Sequence, residues 1–425
     1  MSGLRYNLRF VVLALVILVL VLAASLVYVG FTRVPSPVTT TMTVTETEVV
    51  TERVTTVTTY TTRLTYTTQL VTTRVLTETK VVTETVVKEY TVVKKYPLEV
   101  VDALGRIVRV ESVPRRVVSL APSITEMLFA LGVGEYIVGV DKYSNYPPEI
   151  VKLREEGKVV CVGGYWNPDL EKIVKLQPDL VVAGVGAHAK LLDKFNELGL
   201  KVIYVHGGIA ANVRDIVSDI QLLGLVFNVT DRASKLSEEI LNYVKDISAK
   251  IEEAKKANKT TVKKVLVLLG PPSMGLWSTG SGTFIDYLIK VAGGVNILSK
   301  YHGWIQVGYE EIIKADPEVI IITVMGTRED ALKILEEVKN SPLNATSAVR
   351  SGRVYVLIGE ADDVLCRPGP RITIALDILV RILHPKVFGE VERDDVITYE
   401  HLESYGAPSR IGVLVGVGLE CYDGG

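Results

Sequence analysis

The chain has 425 residues and a formal net charge of −2, from 47 basic and 49 acidic side chains. This length is enough for two or three domains, and the lack of a basic surplus argues against nucleic acid as a partner. The three cysteines are too few for a disulfide framework and include no Cys-x-x-Cys pair, so no structural zinc site is indicated. Asn228, Asn258 and Asn344 each begin an Asn-x-Thr sequon, which fits a glycosylated, exported surface.

The amino-terminal segment predicts a membrane anchor. Residues 10–31 carry no formal charge and consist mainly of Val, Leu, Ile and Ala, and a span needs about 20 such residues. Arg5 and Arg9 precede this run, so residues 1–9 are expected in the cytoplasm and the rest outside the cell. A cleaved secretory signal is the alternative, because residues 22–25 offer a tolerable cleavage context. Both interpretations place the bulk of the chain outside the cytoplasm.

Residues 32–95 have a different composition, rich in threonine and free of glycine. Such a segment cannot form a core of its own, and threonine and valine favour extended backbone. We therefore predict a stalk between the membrane and the folded part. A parallel coiled coil is the alternative, because apolar residues recur at partly regular intervals. These residues are Val50, Val54, Val57, Leu64, Val71 and Val75.

From residue 96 onwards the pattern is that of a folded α/β protein. Residues 98–110 alternate around Gly105 and predict a β-hairpin. Residues 123–131 predict a helix that opens with Ser123 and Glu126 in capping-box spacing. Further strands are predicted at residues 116–120, 136–140, 159–162, 180–183 and 202–205. Strands that alternate with helices predict a parallel sheet with helices on both faces.

Residues 231–257 predict one long amphipathic helix, because apolar side chains recur on one stripe and no Gly or Pro interrupts it. A second α/β unit follows, and a rigid connecting helix predicts only a small closure between two lobes. The predicted strands and closing helix of the second unit are residues 264–269, 319–323, 354–357 and 372–383. The resulting division is an N-terminal lobe at 96–229, a connecting helix at 230–258, a C-terminal lobe at 259–388 and an extension of unassigned role at 389–425.

One segment of the chain occurs twice. Residues 167–182 and 307–321 align at a constant separation, which matches Glu171 with Glu310. Each copy predicts a short helix, a proline stop and a buried strand. A repeat of this kind indicates two lobes of similar build, each with a glutamate at the start of an equivalent helix.

Residues 115–383 resemble the periplasmic-binding domain of ABC importers for iron complexes and vitamin B12. The motifs that carry the resemblance occur in the family's order. They are RVVSLAPSITE from Arg116, GVDKYSNYPP from Gly139, the two glutamate–helix–strand segments, and RPGPR from Arg367. The resemblance implies two Rossmann-like α/β lobes joined by one long rigid helix; the predicted transmembrane helix and Thr-rich stalk that precede the lobes lie outside the resemblance. It also implies ligand binding between the lobes without catalysis, and no cofactor or metal besides the transported ligand.

The resemblance also implies partners and docking residues. The partners are an ABC permease and its ATPase subunits, reached from the outer face of the cell membrane. Glu171 and Glu310 correspond to the glutamates that pair with arginines on the permease, and Glu311 is the neighbouring alternative to Glu310. Two physical arguments favour this assignment. A carboxylate near a helix N-terminus is stabilised by the helix dipole, and two charges spaced apart fix the orientation of the partner that binds them.

A large, partly apolar ligand needs flat side chains at the walls and a few oriented polar groups. The candidates are Tyr146, Tyr165, Trp166, Trp277, Trp304, Asp363 and Arg367. The aromatic residues fall in predicted loops at strand ends, and the resemblance places Asp363 and Arg367 against the ligand. Both a corrinoid and a ferric siderophore fit this set; the aromatic walls and Asp363 favour the corrinoid, while Arg371 is expected to cap the closing helix.

Three other functions compete with this interpretation. A metal-ion or haem receptor of the same architecture is one, and a free-metal site would need several histidines, for which His188, His206 and His302 are the candidates. An enzyme is the second, but the glycines at 280 and 282 lack the lysine of a phosphate-binding loop. A surface adhesin or S-layer component is the third, and it leaves the paired glutamates unexplained.

Overall fold

The structure is a computed structural model and describes residues 70–74, 82–86, 96–391 and 394–399. It contains two compact units, Met1–Val93 and Lys94–Gly425. In the first unit, β1 (Leu70–Arg74) and β2 (Val82–Val86) form an antiparallel pair. These residues of the predicted stalk are therefore extended, and the coiled-coil alternative does not hold for them.

The predicted anchor at residues 10–31 and residues 400–425 of the C-terminal extension lie outside the described ranges. Inside those ranges, no helix combines the length and the apolar composition that crossing a bilayer requires.

The second unit begins with the predicted hairpin, formed by β3 (Leu98–Val101) and β4 (Ile107–Val110). Gly105 adopts the positive φ of 76° that the turn requires. Inside the turn, the Asp102 carboxylate accepts hydrogen bonds from the backbone N–H groups of Leu104 and Arg106, each at 3.0 Å. The turn is thus fixed by an aspartate that satisfies the backbone locally.

The N-terminal lobe contains a five-stranded parallel sheet in the order β7-β6-β5-β8-β9. The strands are β5 (Val117–Ser119), β6 (Ile137–Val140), β7 (Val160–Cys161), β8 (Leu180–Gly184) and β9 (Val202–Val205). The helices are α1 (Pro122–Ala130), α2 (Pro148–Glu155), α3 (Leu170–Lys175), α4 (Val185–His188), α5 (Leu192–Glu197) and α6 (Val213–Val226). Every residue of β8 and β9 is buried, as expected for parallel strands covered on both faces.

The connecting helix α7 (Thr230–Lys256) is continuous, as predicted. Ile240, Val244, Ile247 and Ile251 of the predicted stripe are buried. They join a single hydrophobic core that includes residues of both lobes. The helix is therefore packed along its length and is not an exposed linker.

The C-terminal lobe contains a seven-stranded sheet in the order β13-β11-β10-β14-β15-β16, with β12 also paired to β10. The strands are β10 (Lys263–Leu269), β11 (Leu276–Thr279), β12 (Gly294–Asn296), β13 (Trp304–Val307), β14 (Val319–Thr323), β15 (Val354–Leu357) and β16 (Val396–Thr398). The helices are α8 (Phe284–Val291), α9 (Tyr309–Ala315), α10 (Arg328–Asn340), α11 (Ser347–Arg350), α12 (Gly359–Cys366), α13 (Ile372–Leu383) and α14 (Pro385–Phe388). Strand β16 pairs antiparallel with β15, so part of the predicted extension completes this sheet.

The sequence repeat is also a structural repeat. Helix α3 and strand β8 correspond to helix α9 and strand β14 at the same separation along the chain. Gln177 and Asp316, at the matching position before the proline, both adopt a left-handed backbone, with φ of 46° and 49°. Asp179 and Glu318 match as well, since each accepts a backbone N–H near the start of the neighbouring strand, β5 or β10.

Candidate functional site at the lobe boundary

A buried carboxylate joins the two lobes. Glu126 lies in α1 of the N-terminal lobe and is only 4% exposed. Its two oxygens accept hydrogen bonds from Nε and Nη2 of Arg371, at 2.9 and 2.6 Å, and Oε1 accepts a third from Nη1 of Arg367 at 3.1 Å. Both arginines belong to the C-terminal lobe. The bidentate geometry and the exclusion of water make this a strong ionic contact between the lobes.

This contact corrects two expectations from the sequence. Glu126 does not form a capping box, because α1 starts at Pro122 and its N-cap, Ala121, makes no side-chain cap. Arg371 precedes α13, but its side chain reaches across to Glu126. Ser123 and Glu126 have the spacing of a cap, yet the buried glutamate is paired with two arginines of the other lobe.

Asp363 and Arg367 are brought together at the same boundary. Arg367 pairs with Asp363 at 2.5 Å, and it donates to the side chain of Asn145 at 2.7 Å and to the carbonyl of Tyr143 at 3.1 Å. Asn145 in turn donates to Asp363 at 3.0 Å. The Arg367 side chain is only 10% exposed, so its donors are engaged by the protein. Neither Asn145 nor Glu126 was predicted as a residue of this site. Glu126 is a charged residue within an apolar run, which is a signal of a buried charge, whereas Asn145 lies in a polar loop and gives no such signal.

Tyr146 lies against this network. The Arg371 guanidinium sits 3.9 Å from the centre of the Tyr146 ring, a cation–π contact. The ring remains 36% exposed. One side of the tyrosine is therefore held by the protein while part of its surface stays open.

Tyr165 and Trp166 form an edge-to-face pair, with ring centres 5.0 Å apart. His188 supports the pair from beneath: it is fully buried, its Nδ1 accepts the Gly184 N–H at 3.1 Å, and Nε2 lies 2.7 Å from the Tyr165 carbonyl oxygen. Burial lowers the pKa of His188, which favours the neutral ring with its proton on Nε2. Trp166 is 58% exposed, so the pair presents an indole to solvent from a fixed base.

Trp277 and Trp304 lie in strands, and the prediction that they fall in loops is wrong. In the antiparallel pair of β11 and β13, Trp277 is opposite Gln306 and Trp304 is opposite Thr279. Paired residues share a face, so the two tryptophans are diagonal neighbours on one surface, within reach of each other. Each is 45% exposed. The two strands are short and flanked by glycines, so the sequence pattern resembled that of loops.

The buried carboxyl group of Asp141 lies near both Tyr165 and Arg367. Burial raises its pKa to about 6, and the Ser144 hydroxyl, the Tyr143 N–H and the charge of Arg367 oppose that shift. Burial also raises the pKa of Tyr165, with a contribution from the charge of Asp141. Asp141 is therefore within electrostatic reach of both Tyr165 and Arg367.

The structure describes the surroundings of the two predicted docking glutamates and of Glu311, the alternative to Glu310. Glu171 and Glu310 are both exposed, in the first turns of α3 and α9. Glu311 is ion-paired with Lys300, which lowers the pKa of its carboxyl. The structure thus favours Glu310 over Glu311 as the residue available to a partner; the docking role itself stays a prediction.

The histidines considered for a metal site have separate partners. His188 is held by Tyr165 and Gly184, and His206 bonds Asp219 at 2.7 Å. His302 lies beside Gly282 in the C-terminal lobe, whereas the other two histidines belong to the N-terminal lobe. Within the ranges that the structure describes, no group of three or more His, Cys, Asp or Glu residues is placed to hold a metal ion.

Two lobes of similar build, one connecting helix and a boundary with an ionic centre beside the partly exposed Tyr146 ring are the features of a two-lobed solute-binding protein. A sequence model described as periplasmic binding protein matches residues 117–361, more than half of the chain. The chain therefore belongs to the periplasmic binding protein family, which confirms the resemblance found in the sequence.

Similar proteins agree with this assignment. One is the uncharacterized ABC transporter substrate-binding lipoprotein YvrC of Bacillus subtilis, 29% identical over 298 residues, or 69% of this chain and 88% of the relative. Another is the vitamin B12-binding protein of Salmonella paratyphi A, 32% identical over 221 residues, or 52% of this chain and 75% of the relative.

Solved structures show the same fold. The vitamin B12-binding protein BtuF of Vibrio cholerae matches with a TM-score of 0.53 and 22% identity, over 64% of this chain and 98% of that one. A heme-binding protein from Pseudomonas aeruginosa matches with a TM-score of 0.58 and 22% identity, over 70% of this chain and 100% of that one. At these identities the likeness establishes the fold alone.

Proposed function

We propose that this protein is the extracytoplasmic solute-binding component of an ABC importer. It captures a corrinoid, or in second place a ferric chelate, between its lobes and delivers it to a permease with ATPase subunits. The names of the two relatives support the general role, since one is an ABC transporter substrate-binding lipoprotein and the other a vitamin B12-binding protein. The work is binding, with no bond made or broken.

The exposed aromatic side chains carry the proposal for the ligand. The chain has three tryptophans, and Trp166, Trp277 and Trp304 are 58%, 45% and 45% exposed. Tryptophan is highly buried on average, so exposed tryptophans are candidates for a binding surface, and Trp277 and Trp304 are neighbours on one face of the β11–β13 pair. Flat indole and phenol faces suit a large conjugated ring, and each aromatic contact adds about 0.5–1.5 kcal/mol beyond the area it buries.

The ionic centre supplies orientation. Asp363 and Arg367 form an ion pair at the lobe boundary, and Asn145 holds both of them in place. Polar groups fixed in this way orient a ligand more than they attract it, because their hydrogen bonds are already satisfied by protein.

Docking and binding use different surfaces in this proposal. Glu171 and Glu310 occupy equivalent helix starts on separate lobes. A permease that binds both at once fixes the spacing of the lobes, and through it the width of the cleft. The packed helix α7 favours a small change in that width.

We further propose that residues 10–31 anchor the protein in the cell membrane and that residues 32–95 form a stalk that holds the lobes outside the cell. The unbroken apolar run and the preceding arginines support this arrangement. The chain should then remain in the membrane fraction after an alkaline wash and keep its first residues. A mature N-terminus beginning near residue 25 would establish the cleaved-signal alternative.

Titration of the purified full chain in detergent tests the ligand. All three tryptophans are in the proposed site, so a bound chromophore should quench most of the indole fluorescence. We expect saturable, one-to-one quenching by cyanocobalamin and weaker binding of haem and ferric siderophores. Saturation by a ferric siderophore without a response to cyanocobalamin would reverse the order of the two ligands, and no response to any of them would contradict the proposed function.

A further inference from the structure

The ionic centre at the lobe boundary has no surplus of positive charge. Two guanidinium groups, Arg367 and Arg371, are in contact with three carboxylates. The contacts are Arg371 with Glu126 at 2.6 Å and with Glu360 at 3.3 Å, and Arg367 with Asp363 at 2.5 Å and with Glu126 at 3.1 Å. The formal sum over these five side chains is negative.

Glu126 is the member that both arginines share. Its side chain is 2% exposed, whereas the Glu360 side chain is 39% exposed and lies at the longest of the four distances. Glu126 also comes from the opposite lobe, and the lobes touch there: a methyl group placed on Gly369 would lie 3.6 Å from Oε2 of Glu126. The neutralising charge is thus buried, shared and supplied across the boundary.

An anionic ligand gains little at such a centre. Its carboxylate or catecholate oxygens would have to displace Glu126 or Asp363 from the arginines and leave a buried carboxylate unpaired, which is strongly unfavourable. A neutral ligand with amide groups can instead accept or donate at the rim of the network without breaking an ion pair. A cationic ligand would be favoured by the residual negative charge.

We propose that Glu126 is a specificity-determining positioning residue: it holds Arg367 and Arg371 neutralised, so that the cleft accepts neutral or cationic ligands and discriminates against anionic ones. This inference rests on the proposed function and adds the charge class of the ligand. It assigns Glu126 no contact with the ligand, because its effect acts through the two arginines.

The experiment compares neutral with anionic ligands and asks how the ratio of their affinities changes between the wild type and the variants. The first pair is cyanocobalamin and a cyanocobalamin monocarboxylic acid, in which one peripheral amide is a carboxylate. The second pair is ferrichrome, which is neutral, and ferric enterobactin, which is anionic. Each is titrated into the full chain and into Glu126→Gln, which keeps the size and the hydrogen-bonding oxygen and removes the charge.

The wild-type chain should prefer the neutral member of whichever pair it binds. In Glu126→Gln the ratio of anionic to neutral affinity should rise about tenfold, as expected for one unpaired charge near a ligand, while the affinity for the neutral probe stays within about twofold. Asp363→Asn is the second variant, with the same expected direction, in case Glu126→Gln does not fold. Asp377→Asn removes a carboxylate that pairs with Arg381 on α13 and should leave the ratio unchanged.

The outcomes separate the two proposals. A wild-type preference for the anionic probe, or an unchanged ratio in folded Glu126→Gln and Asp363→Asn, would overturn the role of Glu126 and leave the proposed function standing. A loss of affinity for both members of a pair to the same extent would show a purely structural role and would also overturn it. Binding of haem alone, which carries two anionic propionates, would overturn the role of Glu126 only, and binding of none of these ligands by the wild-type chain would overturn both proposals.

Discussion

At the scale of single residues, Asp141 is a carboxyl group whose pKa is raised by burial and lowered by hydrogen bonds, and burial has the larger effect. The carboxylate is 1% exposed and receives hydrogen bonds from the Ser144 hydroxyl at 2.5 Å and the Tyr143 N–H at 2.9 Å. Burial still outweighs these bonds and raises the pKa from 3.8 to about 6. Because the folded state holds this proton more tightly than the unfolded chain, the stabilising effect is complete below pH 4 and is lost as the pH rises through 6.

This gives a prediction for Asp141→Asn. Two units of pKa correspond to about 3 kcal/mol, so the stability of the wild type relative to the variant should fall by up to about that amount between pH 4 and pH 7. The measurement is the free energy of unfolding by urea for both chains at several pH values. The comparison cancels the other titrating groups, and a difference independent of pH would show that Asp141 is not perturbed in this way.

At the scale of elements, the duplicated helix and strand show what the sequence could reveal. The match of Glu171 with Glu310 required no structure, and the bounds of β9, β14, β15 and α13 follow their apolar runs. An apolar run or a repeated segment is a property of a contiguous stretch of chain, so it can be recognised from the sequence alone. Strands β11, β13 and β16 were missed because each is short, antiparallel and defined by its partner strand. The role of Glu126 was missed for the same reason, since its partners are distant in the chain.

The docking elements give a prediction of their own. Reversal of both charges, Glu171→Lys with Glu310→Lys, should abolish uptake in cells, because like charges would then face the arginines expected on the permease. Ligand affinity of the purified protein should be unchanged, since neither glutamate belongs to the ionic centre.

A matched control separates docking from net charge. Glu238→Lys with Glu253→Lys makes the same change in charge on the exposed face of α7 and should leave uptake intact. A collapse of ligand affinity in the docking variant, or equal loss of uptake in the control, would contradict the assigned role.

At the scale of the whole second unit, two lobes share one core with α7, and an ion pair with a bidentate geometry closes the boundary between them. This construction predicts a ligand-free protein that is already close to its bound form. Backbone shifts on binding should then be near the roughly 1 Å of pre-organised complexes and below the more than 2 Å of hinge closures. The sequence suggested the rigidity through the length of α7, but the contact that closes the boundary could be found only in three dimensions.

The central claim is that the ligand lies between the lobes, and a crystal structure of the complex with cyanocobalamin tests it most directly. We predict a corrin ring between Trp166 on one lobe and the Trp277–Trp304 surface on the other, with Asp363 and Arg367 at its edge. A ligand found elsewhere would contradict the account. The groove between α7 and α13, lined by Leu236, Ile240, Tyr243 and Ile374, is the clearest such place.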